Sequence, residues 1–268
     1  MPARYMRRTL SDWVKTSSTI TSLSSLPSEP EFDITPPINR RFRPEYIYPS
    51  HFTLRDIEIP RGGWVYLACP HSRVKCSHCG VHVAHTDSIV IAMDAACRNM
   101  NVNYDNKSSS SALGVFCGFW NPYNRSHQLT GLTRHTSQIA ELKACVRALC
   151  QAGLIGEDRA LGTNYGPGPG PGAGAGTGHG RGRDVRLVII KSDSEYVVRG
   201  VTELMPRWKA NGWRNSRGVE VANADEFRVI ERLVGSLWRD GIEVRFWLVP
   251  KGLNRQANGM ARNALTLG

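Results

Sequence analysis

Hydrophobic and polar positions change rhythm along this chain. Up to residue 60 they show little periodicity among many Ser, Pro and Arg, which predicts a largely irregular N-terminal extension, partly docked at most. From about Trp64 short apolar runs begin. "DSIVIAMDAACRN" carries its run to Asp94, and "ALGVFCGFW" and "HQLTGLT" follow with turn residues between them, so an antiparallel meander of three strands is predicted. The rhythm then turns helical: "TSQIAELKACVRALCQAG" places Ile139, Leu142, Val146 and Leu149 on one stripe. Thr136 or Ser137 supplies an N-cap, Gly153 a stop, and Glu141 lies on the flank of the stripe.

"VRLVIIKSD" reads as a buried strand ending in Asp193, with a helix starting directly after it. "ADEFRVIERLVGSLWRD" repeats Phe227, Ile230, Leu233, Val234 and Leu237 at helical spacing. "EVRFWLVP" turns Val244, Phe246 and Leu248 inward as a strand, and "NRQANGMARNAL" closes the chain as a helix. The order β-β-β-α-β-α-α-β-α predicts a mixed α/β layer fold. The Gly/Pro segment at 166–183 has nothing to bury and loses much backbone entropy on ordering, so it reads as a flexible insertion and not as a phosphate loop.

Composition narrows the partner. A formal charge of +11, from 34 Lys and Arg against 23 Asp and Glu, points to a polyanion: nucleic acid or an acidic membrane surface. Hydrophobic residues make up 41% of the chain and no run of 18 apolar residues occurs, which argues against a membrane span. Seven cysteines, an odd count, and no apolar core after Met1 predict a reducing intracellular compartment, without choosing among nucleus, cytoplasm and mitochondrion. The first 25 residues, rich in Arg and Ser with Asp12 as their only acid, fit both a mitochondrial transit peptide and a disordered basic tail.

Asp94 and Asp193 each end a predicted strand, and Glu141 sits one or two turns into a helix. A buried carboxylate needs compensation. Taken singly, each acid is explained by capping or by facing solvent. Taken with their element order, the three converge at one sheet edge, where divalent cations would balance them and orient water against a phosphodiester.

The residues from about Asp87 to Leu265 resemble the single-chain ribonuclease H family, as a divergent, fungal-like member. "MDAACRN" is similar to the family's first-strand motif, "TSQIAEL" to its helix motif, "SDSEYVVRG" to its Asp-Ser motif, and "WKANGWRNSRGVEVANADEF" to its substrate-handling stretch. The resemblance implies an RNase H-like mixed five-stranded sheet with helices on both faces over 87–268. An irregular extension (1–60) and a Cys/His-rich lead-in (61–86) would precede it. It also implies a monomeric, membrane-independent endonuclease cleaving the RNA strand of RNA–DNA hybrids, with two Mg²⁺ or Mn²⁺ ions held by Asp94, Glu141 and Asp193. The register of Val249, Pro250 and Asn254 puts Asn258 where the family carries a fourth carboxylate, and Gly252 and Leu253 stand where many members have a histidine. An amide oxygen can ligate a hard cation but brings no charge. The missing Coulomb attraction is at most about 4 kcal/mol at ~4 Å and an effective dielectric of ~20. The alternative is therefore an impaired module that binds hybrid or double-stranded RNA without efficient turnover.

Around the acids, "PRWKANGWRNSR" offers Arg207, Lys209, Arg214 and Arg217 for phosphates and Trp213 for a sugar or base, while Trp208 fits inward packing at least as well. Asn99 and Gln138 are placed either to contact the minor groove of a hybrid or to make simple loop and cap hydrogen bonds. In "CPHSRVKCSHCGVHVAH", Cys76 and Cys79 have zinc-knuckle spacing, and Cys69 with His82 or with His85 would complete a structural Zn²⁺ site. Free thiols on a packed loop are the competing reading.

Overall fold

The computed structural model describes residues 39–71, 84–98, 110–132, 135–161 and 185–267. Among these residues seven strands form one sheet: β1 (Glu58–Arg61), β2 (Trp64–Ala68), β3 (Ala84–Arg98), β4 (Ser110–Phe116), β5 (Arg125–Gln128), β6 (Leu187–Ser192) and β7 (Glu243–Leu248). Helix α1 (Ser137–Ala160) joins β5 to the strand after it. Past β6 come α2 (Glu195–Arg199), a π-helical turn (Gly200–Leu204), α3 (Met205–Ala210) and α4 (Ala224–Arg239). A 3₁₀ turn (Lys251–Leu253) and α5 (Arg255–Leu267) follow β7. The Gly/Pro segment 166–183 lies outside the described residues.

Strand β3 organises the sheet. Its second half pairs antiparallel with β4, and its middle pairs parallel with β6, which pairs parallel with β7. Together with β5 these are the five strands expected of a mixed sheet. Two more continue it, because β2 pairs antiparallel with the first half of β3 and β1 with β2. The β1–β2 connection is Gly62-Gly63, with φ of 56° and 76°; two successive positive φ values are what a tight type I′ hairpin turn needs. Pro60 is tolerated because β1 is an edge strand.

The near-continuous apolar runs are explained by burial on both faces. Ile89, Ile91 and Met93 of β3 enter a core under α1 and α4 with Leu142, Leu149, Phe227 and Leu237. The alternate residues Val90 and Ala92 enter a second core with Ile189, Trp247 and Ala257 of α5, closed by Phe42, Tyr48, Ile57, Val65 and Leu67. The segment before the first strand is thus built in: Phe42 N donates to Phe246 O at 2.9 Å, and Phe246 N to Arg40 O at 2.8 Å, along the outer edge of β7. On the same face Gly114 lets α5 approach β4. A Cβ there would stand 2.3 Å from Ala257 O and 2.7 Å from Ala261 N.

Candidate active site

Topology brings the first two acids together. In the parallel β3–β6 register Ala92 faces Lys191, so Asp94 and Asp193, each two residues further on, lie at the same end of that strand pair; only Asp193 follows the end of its strand, because β3 runs on past Asp94 to Arg98 against β4. Asp94 pairs across β4 with Gly114, the residue that admits α5, and that approach sets Asn258 Nδ2 2.7 Å from Asp94 Oδ2. Asp94 Oδ1 accepts from Ala95 N at 2.7 Å. Ser194 caps α2 by accepting from Val197 N at 3.2 Å, and its hydroxyl donates to Glu141 Oε2 at 2.7 Å, tying α1 to α2. Asn254, fully buried, donates through Nδ2 to Met93 O at 2.9 Å and to Asp193 Oδ1 at 2.7 Å. Ser194 and Asn254 escape a search for charged motifs. The only hints in sequence are a serine one step past the strand-ending acid and an asparagine four residues before Asn258.

The charges at this end repel one another. Burial pushes the Asp94 carboxyl up from its ordinary range and Asp193 adds to the rise, while the bond from Asn258 works against it. Burial likewise pushes Glu141 up; the Ser194 hydroxyl opposes this, and the charges of Asp94 and Asp193 reinforce it. A carboxyl whose folded pKa is raised binds its proton more tightly folded than unfolded. It therefore weakens the fold above that pKa and ceases to do so as pH falls through it. In metal-free protein Asp94→Asn should accordingly melt above the parent at about pH 8, with roughly 2–4 °C gained per kcal/mol relieved. The gap should narrow as pH falls toward about 4, where a growing share of the parental carboxyl is protonated. Paired melting curves at the two pH values check this; a parent more stable at both would contradict it.

As folded, these carboxylates are engaged by neutral donors and are not gathered around an ion. Each carboxylate has an oxygen engaged by a neutral donor: Asn258 on Asp94, Ser194 on Glu141, Asn254 on Asp193. Asn258 points its N–H, not its oxygen, at the acid beside it. Among the described residues no three His, Cys, Asp or Glu side chains stand together so that they could hold an ion.

The remaining candidates are spread more widely. Gln138 is exposed in the first turn of α1, and Asn99 lies outside the described residues. Trp208 packs inward, edge-on to Phe227 at 5.0 Å between ring centres. Trp213, with φ of 63°, is half-buried beneath the Arg228 guanidinium at 5.0 Å from its ring centre. Lys209 Nζ is held by Glu231 Oε1 at 2.6 Å, and Arg214 Nη1 by Gly218 O at 2.6 Å, whereas Arg207 and Arg217 are exposed. A cleft of about 310 Å³ opens between the starts of α1 and α4, lined by Ile139, Val221, Asn223 and Glu226 among others. Cys69 is buried at the end of the hairpin; Cys76, Cys79 and His82 lie outside the described residues. Among the described residues no helix is long and apolar enough to cross a membrane.

No family model matches the chain. It is similar to "Ribonuclease H1" of Homo sapiens, 26% identical over 199 residues, 73% of this chain and 54% of that protein. It is also similar to "Ribonuclease H" of Cyanothece sp., 46% identical over 46 residues, 17% of this chain and 29% of that protein. The chain spans about half the length of the mammalian proteins it matches, 54% and 50%. Among solved structures, the PFV RNase H domain is 18% identical with a TM-score of 0.40, covering 66% of this chain and 94% of that one. The extended sequence similarity to ribonuclease H1, and a mixed sheet in the order β5-β4-β3-β6-β7 flanked by helices, make this chain a homologue of the ribonuclease H1-type enzymes with an RNase H-like fold.

Proposed function

We propose that the chain is an RNase H-like module that binds RNA–DNA hybrid or double-stranded RNA and turns it over poorly. One observation carries this reading: Asn258 presents a neutral N–H to Asp94 at 2.7 Å, where a carboxylate would add a charged hard ligand. Binding has a separate basis. The net charge of +11, the exposed Arg207 and Arg217, and the half-buried Trp213 form a surface suited to an A-form-like duplex, read through phosphates and 2′-hydroxyls without regard to sequence. Hydrolysis by a two-metal route is the second reading. Its support is that burial, reinforced by mutual repulsion, raises the Asp94 and Glu141 carboxyls, and bound cations would relieve both.

The test is one hybrid measured two ways with the full chain. Fluorescence anisotropy should show binding whose affinity falls steeply with salt, as phosphate contacts require. Cleavage of the same hybrid in Mg²⁺ or Mn²⁺ should be at least tenfold slower than with the Asn258→Asp variant. Parental cleavage equal to that of the variant would favour the second reading, and salt-independent or undetectable binding would overturn the first.

A further inference from the structure

Lys191 is a cation in an unexpected place. It lies on central strand β6 with its side chain 5% exposed, so its ammonium must find compensation inside the fold. Nζ lies 2.6 Å from Glu58 Oε1, 2.8 Å from Oε2, and 3.0 Å from Leu253 O, to which it donates. Glu58 opens β1, in the part of the chain that precedes the ribonuclease H-like motifs. Leu253 ends the 3₁₀ turn, and Asn254, which grips both Met93 O and Asp193, comes next. One turn on, Asn258 N donates to Asn254 O at 3.1 Å and the Asn258 side chain meets Asp94.

We propose that Lys191, clamped by Glu58, is a positioning residue: it ties the 251–254 turn to the β1–β2 hairpin and so holds Asn254 on Asp193 and Asn258 on Asp94. The inference rests on the reading of these carboxylates as the functional site. Elsewhere in the turn Lys251 and Gly252 are exposed, and only the half-buried Leu253 side chain packs against the second core. Both contacts of the Asn254 amide run through Nδ2, and among the described residues its buried Oδ1 has no hydrogen-bond partner, so the amide has no second hold against a shift of the turn. Packing alone does not require a charge at 191, since a methionine fills a similar volume. What the ammonium adds is a simultaneous bond to a carboxylate of one element and a carbonyl of another.

Two full-chain variants separate positioning from stability. Lys191→Met removes the tether; Lys191→Met with Glu58→Met replaces the ion pair by apolar contact, an exchange that is often neutral for stability. The readout is hydrogen exchange of the Asn254 side-chain amide by ¹⁵N NMR. Ile230→Val serves as a control that loosens the other core without touching the turn. Exchange should quicken at least tenfold in both Lys191 variants and less than twofold in the control, and hybrid affinity should fall about three- to tenfold only in the former. Parental exchange in the double variant overturns the proposal; if Lys191→Met alone fails to fold, the double variant still decides. A parent that binds no hybrid would sink the functional reading, while the amide would still report on the clamp.

Discussion

Asn258→Asp raises Mg²⁺-dependent cleavage of an RNA–DNA hybrid at least tenfold, and lowers the Mg²⁺ concentration for half-maximal rate. The side chain already stands 2.7 Å from Asp94 Oδ2 on a helix drawn close by Gly114, so the substitution changes charge with almost no change in size or place. The full Coulomb gain of about 4 kcal/mol is an upper bound. Solvent and neighbouring donors leave a fraction of it, and about 1.4 kcal/mol suffices for a factor of ten. The same change has an opposite signature without metal. A second carboxylate beside Asp94, whose carboxyl burial and Asp193 already push up, adds like-charge repulsion. The variant should therefore melt below the parent in chelator and gain several degrees on adding Mg²⁺, since a ligand of the folded state alone stabilises it. Rate and melting point moving together with Mg²⁺ would show that the new carboxylate meets the ion. An unchanged metal dependence with a lowered melting point would mean that the introduced carboxylate repels Asp94 without helping to bind a cation.

The elements are legible where side-chain period and burial agree. β3, α1, β6, α4 and β7 all follow from apolar spacing, and Thr136 caps α1 as the sequence suggests, accepting from Ile139 N at 3.2 Å; Gly153 does not stop that helix, which carries it buried and runs on to Ala160. Asp94 and Asp193 are legible because a carboxylate at the end of an apolar run is conspicuous, and Glu141 because it flanks the apolar stripe early in a helix. The β1–β2 hairpin is not, although Gly62-Gly63 is a strong turn signal, because Pro60 breaks the pattern on one side and the strands have only four and five residues. Compensation of the acids is not legible either. A sequence displays charge, whereas Ser194, Asn254 and Asn258 supply neutral hydrogen bonds whose reach depends on how α5 and the 251–254 turn sit on the sheet. Lys209 illustrates the same limit: its placement by Glu231 depends on α4, 22 residues away in sequence.

A chain starting at Asp87, where the ribonuclease H resemblance begins, should fail to fold into a soluble monomer. It lacks Phe42, Tyr48, Ile57, Val65 and Leu67, and so uncovers Val90, Ala92, Ile189 and Trp247 on the second face of the sheet. Burying one such large side chain contributes about 1.5–3 kcal/mol, and losing several of these contacts is comparable with the ~5–15 kcal/mol that holds a domain together. Relief of the entropy of ordering the deleted residues offsets part of this, but not the cost of the newly wetted face or of a Lys191 left without Glu58. A point substitution isolates the packing from the deletion. Phe42 meets Trp247 edge-on at 5.4 Å between ring centres, so Phe42→Ala in the full chain should cost about 3–5 kcal/mol. Trp120→Ala, at a side chain 93% exposed, should stay within ~0.5 kcal/mol. Chemical denaturation of the two variants, beside solubility and thermal melting of the 87–268 chain, makes the comparison. If the short chain melts cooperatively at the full chain's temperature, the segment from Asn39 to Ala68 is an ornament on a self-sufficient sheet. If it collapses while Phe42→Ala shows the large loss, that segment is part of the domain, and the end of the sheet that gathers Asp94, Glu141 and Asp193 depends on chain outside the family-like region.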